Sequence, residues 1–395
     1  MTAVCLWALC GVGGFVFYTY LGYPLLLMIL AAVRRRHPPV APLTEWPRIS
    51  ILLPAYNEEA VIRDTLENLL RLDYPAERRQ ILVVSDASTD RTDAIVGEYA
   101  SRGVELLRLP HRRGKTGAEN AALPVLRGEI IVNTDASVHV ERGALKALIA
   151  HFADPTVGVA SNRNVSVARA PQHPNYAESW YVGYEMWVRD LESRVAGIVG
   201  AAGCLYAVRA PIHMRLLPES LSRDFAAGLV ARELGWRAVS VREAVCYVPR
   251  ISSLRREYRR KVRTMTRGME TLYRERQLLN PVRYGLFSWT LASHKVCRWV
   301  IPHLAIVALG ALACLAWIAP WARWALGFAG FAALCAVVAW FWPEGRRLPK
   351  VVAVPAYLVM GNLAPLHASL RVARGEGAPT WEPTRREAAQ PAVVA

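Results

Sequence analysis

Three aspartates stand where a carboxylate could take part in chemistry. Asp86 in VVSDAS and Asp135 in VNTDAS each follow an apolar run directly, and Asp224 in SRDF opens a helical pattern. A diphosphate leaving group needs a divalent cation or basic groups to absorb its negative charge, and a hydroxyl nucleophile needs a base. One strand-end acid on a metal and one acid at a helix start would meet both needs. Taken singly, each aspartate could also be a helix cap.

The elements that must position these acids alternate between strand and helix patterns. Apolar strands are predicted over residues 48–56, 80–86, 104–110 and 129–135, with helices over 58–72, after 88–90 and over 115–126. Asn57 is the predicted cap of the first helix. Alternation of this kind indicates an α/β fold with a mostly parallel sheet. Such sheets bind ligands at the carboxyl ends of their strands, where Asp86 and Asp135 stand.

The second half of the globular region is less regular and ends in a basic helix. Helices are predicted over residues 174–195, 223–234 and 254–276, and strands within 200–209 and 235–248. In the last helix, four arginines share one face with no acid among them. They are Arg256, Arg260, Arg263 and Arg267. A solvated face is one interpretation; the alternative is an anionic partner, with donor diphosphate at Arg260 or Arg263 and lipid phosphate at the others. We expect no nucleic acid, because no stacking aromatics interleave usefully.

The composition indicates a chain that is part membrane and part globular. Hydrophobic residues make up 53% of the 395 residues, yet charged residues reach 20% and the net charge is +16. Residues 4–33 carry no charge over more than the roughly 20 residues that a bilayer requires, and Arg34-Arg35-Arg36 follows. This pattern predicts a retained anchor with the N-terminus outside and the globular domain in the cytoplasm.

These features divide the chain into five parts. They are an anchor (1–36), a linker (37–47), a globular domain (48–276), a C-terminal membrane region (277–372) and a tail (373–395). In the membrane region, residues 300–319 and 322–342 are predicted spans, and 351–370 is either a third span or a re-entrant or interfacial segment. Three spans after the domain would place the tail outside, whereas its arginines favour the inside.

Several motifs in order resemble one enzyme family. The pattern ILLPAYNEE, VVSDASTDRT, RRGKTGAENAAL, NTDAS, GAAGCLYAVR, SRDF and RRKVRT is similar to the family 2 inverting glycosyltransferases of GT-A fold. Within them it resembles the membrane-integrated branch of chitooligosaccharide, hyaluronan, poly-N-acetylglucosamine and cellulose synthases. The resemblance covers residues 48–270. It implies a Rossmann-like GT-A domain, an enzyme of a bacterial inner or plasma membrane, and a nucleotide-sugar donor that is expected to be UDP-linked.

The resemblance also implies roles on the donor side. The residues that surround the donor nucleotide would be Pro54, Ala55, Tyr56 and Glu58. Asp86 would hydrogen-bond the uracil, and Lys115 would approach the donor. Asp135 corresponds to the leading acid of the DxD motif and would hold Mg²⁺ or Mn²⁺, while Ser137 replaces the trailing acid. Asp224 corresponds to the catalytic base.

On the acceptor side the sequence departs from the family pattern. Gly203, Cys204 and Arg223 are the candidate acceptor-side residues, and Arg223 stands where an acid often lies. Thr264 replaces a tryptophan that holds acceptor sugar in processive relatives, while TWEPTRR (380–386) resembles their tail motif. The acceptor is expected to be a glycan or a lipid-linked molecule in a lipid membrane. Two alternatives stay open: single-sugar transfer to a polyprenyl phosphate or lipid, and a catalytically silent subunit that binds nucleotide sugars.

Overall fold

The computed structural model describes residues 1–34, 43–167, 176–249, 253–343, 346 and 348–377. Its centre is an eight-stranded sheet with the order β3-β2-β1-β4-β7-β6-β8-β5. The strands are β1 (Ile49–Ala55), β2 (Arg79–Ser85), β3 (Val104–Arg108), β4 (Ile130–Thr134), β5 (His139–Val140), β6 (Val157–Val167), β7 (Leu205–Arg209) and β8 (Arg237–Pro249). The TWEPTRR motif lies outside the described residues.

The sheet is mixed, which corrects the expectation of a mostly parallel one. The first half, β3-β2-β1-β4, is parallel throughout. β7 then pairs antiparallel with both β4 and β6, and β5 pairs antiparallel with β8. The chain returns to the side of β4 only after β5, β6 and the helix at Tyr176–Val195. β7 then runs antiparallel to β4, which makes the sheet mixed. The predicted edge at the ends of β1, β2 and β4 is retained.

Thirteen helices in the described residues cover the sheet and extend beyond it. They are α1 (Thr2–Val33), α2 (Ile62–Leu70), α3 (Thr92–Gly97), α4 (Gly114–Ala122), α5 (Ala144–Ala150), α6 (Tyr176–Val195), α7 (Ala210–His213), α8 (Arg223–Glu233), α9 (Leu254–Arg274), α10 (Pro281–Tyr284), α11 (Leu286–Leu315), α12 (Pro320–Phe341) and α13 (Lys350–Ala373). Short 3₁₀ turns lie at Ala76–Arg78, Ala100–Arg102, Leu123–Val125, His151–Ala153 and Arg276–Leu279. Both α1 and α11 contain a π-helical segment, at Tyr18–Gly22 and Ala292–Val296.

The core forms on both faces of the sheet because alternate strand residues point to opposite sides. Ile49, Ile51 and Leu53 of β1 pack with α2, α3 and α5. Leu52, between them, faces the cluster formed with α4 and α8. Through this packing, α4 and α8 are held against the sheet, next to the edge that carries the candidate site.

Two local predictions were wrong for identifiable reasons. Asn57 does not cap a helix; its φ is +52°, and its Oδ1 accepts the Thr89 amide at 2.8 Å. The helix begins only at Ile62. Strand β6 was missed because VGVASNRNVSV mixes polar residues into its apolar pattern.

Four helices among the described residues are long and apolar enough to cross a membrane: α1, α11, α12 and α13. α1 packs on α6 through Tyr23 and Leu27, and the Tyr23 ring meets Trp289 of α11 edge-on at 5.1 Å. α11 begins at Leu286, well before the predicted span, and α13 is one continuous helix despite Pro355 and Pro365.

Both ends of α13 lie near α9. Leu348, just before α13, packs in the same cluster as Leu254 and Tyr258 of α9. Gly377, just after α13, is so close to α9 that a Cβ built on it would lie 3.3 Å from Glu270 Oε1. α9 itself is fixed to the sheet domain, because Arg267 donates to Thr116 Oγ1 at 2.6 Å.

Candidate active site

Asp86, at the end of β2, is buried and anchors the loop before α4. Its Oδ1 accepts the Arg113 amide at 2.7 Å, and its Oδ2 accepts the Gly114 amide at 2.8 Å. The side chain therefore satisfies free amides at the start of a helix, although the helix is not its own. Contact with a nucleotide base would have to use the remaining lone pairs of these oxygens, so that role stays a prediction.

Lys115 joins the next two predicted residues. Its Nζ donates to Asp135 Oδ1 at 2.6 Å and to the Gly203 carbonyl at 3.3 Å, so α4, the end of β4 and the start of β7 meet at one ammonium. Burial lowers the pKa of Lys115, but the charges of Asp135, Glu119 and Asp224 outweigh it and raise that pKa above its ordinary value. Lys115 is therefore a fixed positive charge at the sheet edge.

Asp224 stands in the first turn of α8 and faces the same place. Its Oδ1 accepts the hydroxyl of Ser222 and, at 2.9 Å, the Phe225 amide. These bonds leave Oδ2 as the less engaged oxygen. A Cβ on Gly203 would lie 2.5 Å from Oδ2, so the glycine gives the carboxylate room. Gly203 is thus a neighbour of the candidate base rather than an open acceptor surface.

A buried polar layer lies under these groups, and Arg223 belongs to it. The Arg223 side chain is 5% exposed; it pairs with Glu119 at 3.3 Å and donates to the His213 carbonyl at 2.8 Å. This corrects the acceptor-side assignment of Arg223, because its guanidinium points into the domain. Tyr206 lies in the same layer, and burial, with the charges of Glu119 and Asp224, raises its pKa well above its ordinary value.

Cys204 also points inward, as a buried thiol whose Sγ lies 2.7 Å from Asn164 Oδ1. No acceptor contact follows from this geometry, and its assignment stays a prediction.

The expected donor-binding segment at the end of β1 is partly closed. Pro54 and Ala55 are buried in the strand, so only their backbone could meet a ligand. The Arg112 guanidinium lies 3.9 Å above the Tyr56 ring, an aromatic face that a base could otherwise use. The Glu58 amide donates to Thr92 Oγ1 at 2.8 Å, which ties this loop to α3. All four residues flank the site edge.

The basic face of α9 is less free than its sequence indicated. Glu257 lies between the arginines, and Arg260 donates to it in a bidentate pair at 2.8 and 2.9 Å. Arg267 is 7% exposed and donates to Thr116 and the Leu221 carbonyl, so it holds α9 on the domain. These contacts correct the view of four acid-free cations awaiting an anion. The donor role of Arg263 stays a prediction.

A divalent cation fits this site only if some of its oxygen ligands come from a bound molecule other than the protein. Among the described residues no cluster of three or more His, Cys, Asp or Glu side chains could hold a metal. Asp135 offers one carboxylate, and Lys115 already pairs with it. Hard cations need several oxygens, so the residues fit an ion that Asp135 and the diphosphate of a bound donor hold together.

Comparisons with known proteins identify the enzyme class of one segment of the chain. Residues 50–197 match the family described as glycosyl transferase family 2. This segment is therefore similar to family 2 glycosyltransferases. The glycosyltransferase class expected from the motifs is therefore confirmed. The finer assignment to the chitooligosaccharide, hyaluronan and cellulose synthase branch stays a prediction.

Relatives of this glycosyltransferase domain align over part of their lengths. A beta-monoglucosyldiacylglycerol synthase of Synechocystis sp. is 32% identical over 145 residues, which is 35% of this chain and 30% of that protein. The probable glycosyltransferase YdaM of Bacillus subtilis is 37% identical over 110 residues, 27% of this chain and 26% of that protein. The chain thus covers less than a third of the length of either relative.

One solved structure resembles nearly the whole chain. The mannosyltransferase PcManGT from Pyrobaculum calidifontis, in complex with GDP-Man and Mn²⁺, superposes with a TM-score of 0.71 at 23% identity, covering 95% of this chain and 99% of that one. The GT-A fold expected from the sequence is confirmed, together with its additional apolar helices.

Sequence reasoning missed three participants. Glu119 pairs with Arg223 and Glu257 pairs with Arg260, but the local sequence pattern predicted neither pairing. Lys295 lies between His294 and Arg298 in a helix that is long and apolar enough to cross a membrane, and a charge inside such a helix was the signal that could have found it.

Proposed function

We propose that the protein is a membrane-bound inverting glycosyltransferase that transfers a sugar from a nucleoside diphosphate donor to an acceptor hydroxyl. One observation carries this proposal: Lys115, Asp135 and Asp224 come from three separate elements and meet at one sheet edge. The family 2 match over residues 50–197 supports the reaction class. The expected donor is a UDP-sugar. GDP-mannose, which is bound to PcManGT, is the alternative donor to test.

The proposed mechanism is a single displacement. Lys115 supplies positive charge for the donor diphosphate, where negative charge grows as the bond to the sugar breaks. A divalent ion, when bound, would add to that stabilisation, and Asp135 would hold it. Asp224 accepts the proton of the acceptor hydroxyl, through Oδ2, while Ser222 and the Phe225 amide fix its orientation through Oδ1. Attack from the side opposite the diphosphate inverts the anomeric carbon.

Asp224→Asn tests the base assignment. The amide keeps the size of the side chain but cannot take the proton, so we expect transfer to fall about 10²–10⁴-fold. Donor binding should stay within a factor of about two. Asp73→Asn is the matched control, since Asp73 forms a surface ion pair with Lys146. The measurements are nucleoside diphosphate release across UDP- and GDP-sugars and donor affinity by calorimetry.

Two other outcomes of this experiment would contradict the proposal. Near-wild-type turnover of Asp224→Asn would show that another group is the base. Donor binding by the wild type without any release or transfer, across the whole donor panel, would favour the silent-subunit alternative.

A second part of the proposal concerns the membrane. We expect α1, α11 and α12 to span it and α13 to lie along the surface beside α9, because both ends of α13 contact α9. The tail then lies on the cytoplasmic side with the catalytic domain. A reporter fused after residue 377 should be active in the cytoplasm and one at the N-terminus outside; a tail reporter found outside would instead make α13 a span.

A further inference from the structure

A cavity of about 1000 Å³ connects Asp224 with the apolar helices. Ser222, Asp224 and Phe225 form part of its wall together with residues 199–201, and the rest comes from α1, α6, α9, α11 and α13. Lys115 and Asp135 do not line it. Asp224 therefore stands between two spaces, the donor edge of the sheet and this cavity.

Much of the cavity wall is hydrocarbon. Phe17, Leu21, Leu25 and Met28 of α1 and Leu358 of α13 line it, and each is between 45% and 61% exposed. Against this part of the wall a glycan chain would leave hydroxyl groups without partners, which is unfavourable. Acyl or isoprenoid chains would cover these side chains instead. The chemistry of the wall favours a lipid over a sugar polymer.

Several basic side chains line this cavity, and one of them, Lys295, lies beside the residue that follows the candidate base. Lys295 lines the cavity, in the π-helical segment of α11, and its Nζ lies 5.4 Å from the centroid of the Phe225 ring. Phe225 directly follows Asp224. Among the described residues no hydrogen bond or ion pair engages the Lys295 ammonium. A lysine in a candidate membrane helix, placed on a π-bulge, is a marker of a functional site.

The two acids near Lys295 also contact other groups, although Glu192 Oε2 has no hydrogen-bond partner among the described residues. Glu185 contacts His294 at 2.6 Å and Arg298 at 2.5 Å, and Glu192 contacts His294 and accepts the Tyr23 hydroxyl, both at 2.5 Å. Both acids attract the Lys295 ammonium, but among the described residues neither forms an ion pair with it, so the ammonium can also pair with an anion that enters the cavity. Among head groups of membrane lipids, phosphate is the anion that a lysine ammonium binds readily.

We propose that this cavity is the acceptor site and takes a membrane lipid with a phosphate and, beyond it, a free hydroxyl. The chains lie against α1 and α13, the phosphate pairs with Lys295, and the hydroxyl reaches Asp224. This assignment rests on the proposed glycosyl transfer. The bond from the anomeric carbon to the donor diphosphate breaks, with its electron pair left on the diphosphate. The acceptor oxygen bonds to that carbon, and the hydroxyl proton passes to Asp224.

An acceptor panel tests both chemical requirements with the full-length protein in phosphatidylcholine nanodiscs and radiolabelled donor. Phosphatidylglycerol and an isoprenyl diphosphate-linked sugar carry both groups, diacylglycerol carries only the hydroxyl, and phosphatidylcholine carries only phosphate. A soluble oligosaccharide completes the panel. We expect organic-extractable product from the first pair alone, and the member that becomes labelled identifies the source of the lipid.

The other outcomes of the panel overturn the proposal. If diacylglycerol is labelled as efficiently as the anionic lipids, the phosphate has no role. If the soluble oligosaccharide is labelled as efficiently, the cavity is not the acceptor site. Intact donor binding with no labelled lipid overturns the acceptor assignment. Loss of donor binding itself is a failure of the proposed function, and calorimetry distinguishes the two.

Two variants locate the site, each with a matched control. Gly361→Leu fills the cavity from α13, where a Cβ meets nothing within 4 Å, and Gly327→Leu makes the same change on α12 outside it. Lys295→Met removes the phosphate partner, and Lys146→Met changes a distant lysine. We expect the acceptor KM to rise roughly 10–100-fold in the first member of each pair. Donor affinity should not change; equal effects in the controls would refute the site.

Discussion

Replacement of Gly203 by alanine should lower the rate of sugar transfer about 10²-fold without unfolding the protein. The added Cβ would lie 2.5 Å from Asp224 Oδ2, whereas ordinary contacts begin at 3.4 Å, so the carboxylate must retreat by about 0.9 Å. Oδ1 is held by Ser222 and the Phe225 amide, so the retreat rotates Oδ2 away from its position. A displacement of about 1 Å near the reacting atoms costs about 10²-fold in rate. That factor corresponds to about 2.7 kcal/mol in the barrier.

The cost in stability should be small, because the clashing atom is the end of a side chain. We expect Gly203→Ala to lower the free energy of unfolding by less than about 1 kcal/mol. Gly143→Ala is the control, since a Cβ there meets nothing within 4 Å. Steady-state turnover and thermal unfolding of both variants are the measurements. Wild-type kcat in Gly203→Ala would refute this placement of the base, and an equal loss of fold and activity would refute the argument from a local clash.

Three further predictions address the charges around the site and on the domain surface. Lys115→Met frees Asp135 from its ion pair, so Mn²⁺ affinity without donor should rise while donor affinity falls about tenfold; calorimetry showing unchanged metal affinity would contradict this. Glu119→Leu leaves the Arg223 charge buried and should cost about 3 kcal/mol in thermal unfolding, with most of it restored when Arg223→Met is added; equal stability of single and double variants would refute the coupling. Burial raises the pKa of Asp154, but hydrogen bonds from a threonine and an arginine outweigh it and lower that pKa to about 2, so its stabilisation is complete above about pH 4 and lost towards pH 2. Asp154→Asn should therefore cost about 1 kcal/mol at pH 7, allowing for solvent screening, and progressively less as the pH falls through about 2; a constant difference in unfolding free energy would argue against it.

The strand ends were predictable because they follow from local pattern. Runs of β-branched and aliphatic residues ended at Ser85 and Thr134, and the acids directly after them had to lie at one edge of a parallel arrangement. What Asp86 does there was not predictable. Its partners are the amides of residues 113 and 114, and contacts between segments so far apart in the chain leave no mark in the local pattern.

The partners of the charged residues could not be predicted from the sequence either. Helical spacing correctly placed Arg260 and Arg267 on one helix, but it could not tell which of them faced an acid. Glu257 lies one turn before Arg260, and the sequence pattern gave it no weight because arginines surround it. Arg267 is buried by its contacts with α4 and the loop before α8, which depend on how α9 docks.

The position of the candidate base depends on both halves of the molecule. Phe225 and Leu229 of α8 pack in one cluster with Leu272, Phe287 and Leu291, so the helix that carries Asp224 is held from beyond residue 276 as well as from the sheet. The globular domain predicted to end at residue 276 would expose this cluster. Since α11 also carries Lys295, the same helix that supports the base would present the acceptor phosphate to it. In the proposed mechanism donor binding uses the sheet edge alone, whereas transfer requires α11 in place; loosening of α11 should therefore impair transfer before it impairs donor binding.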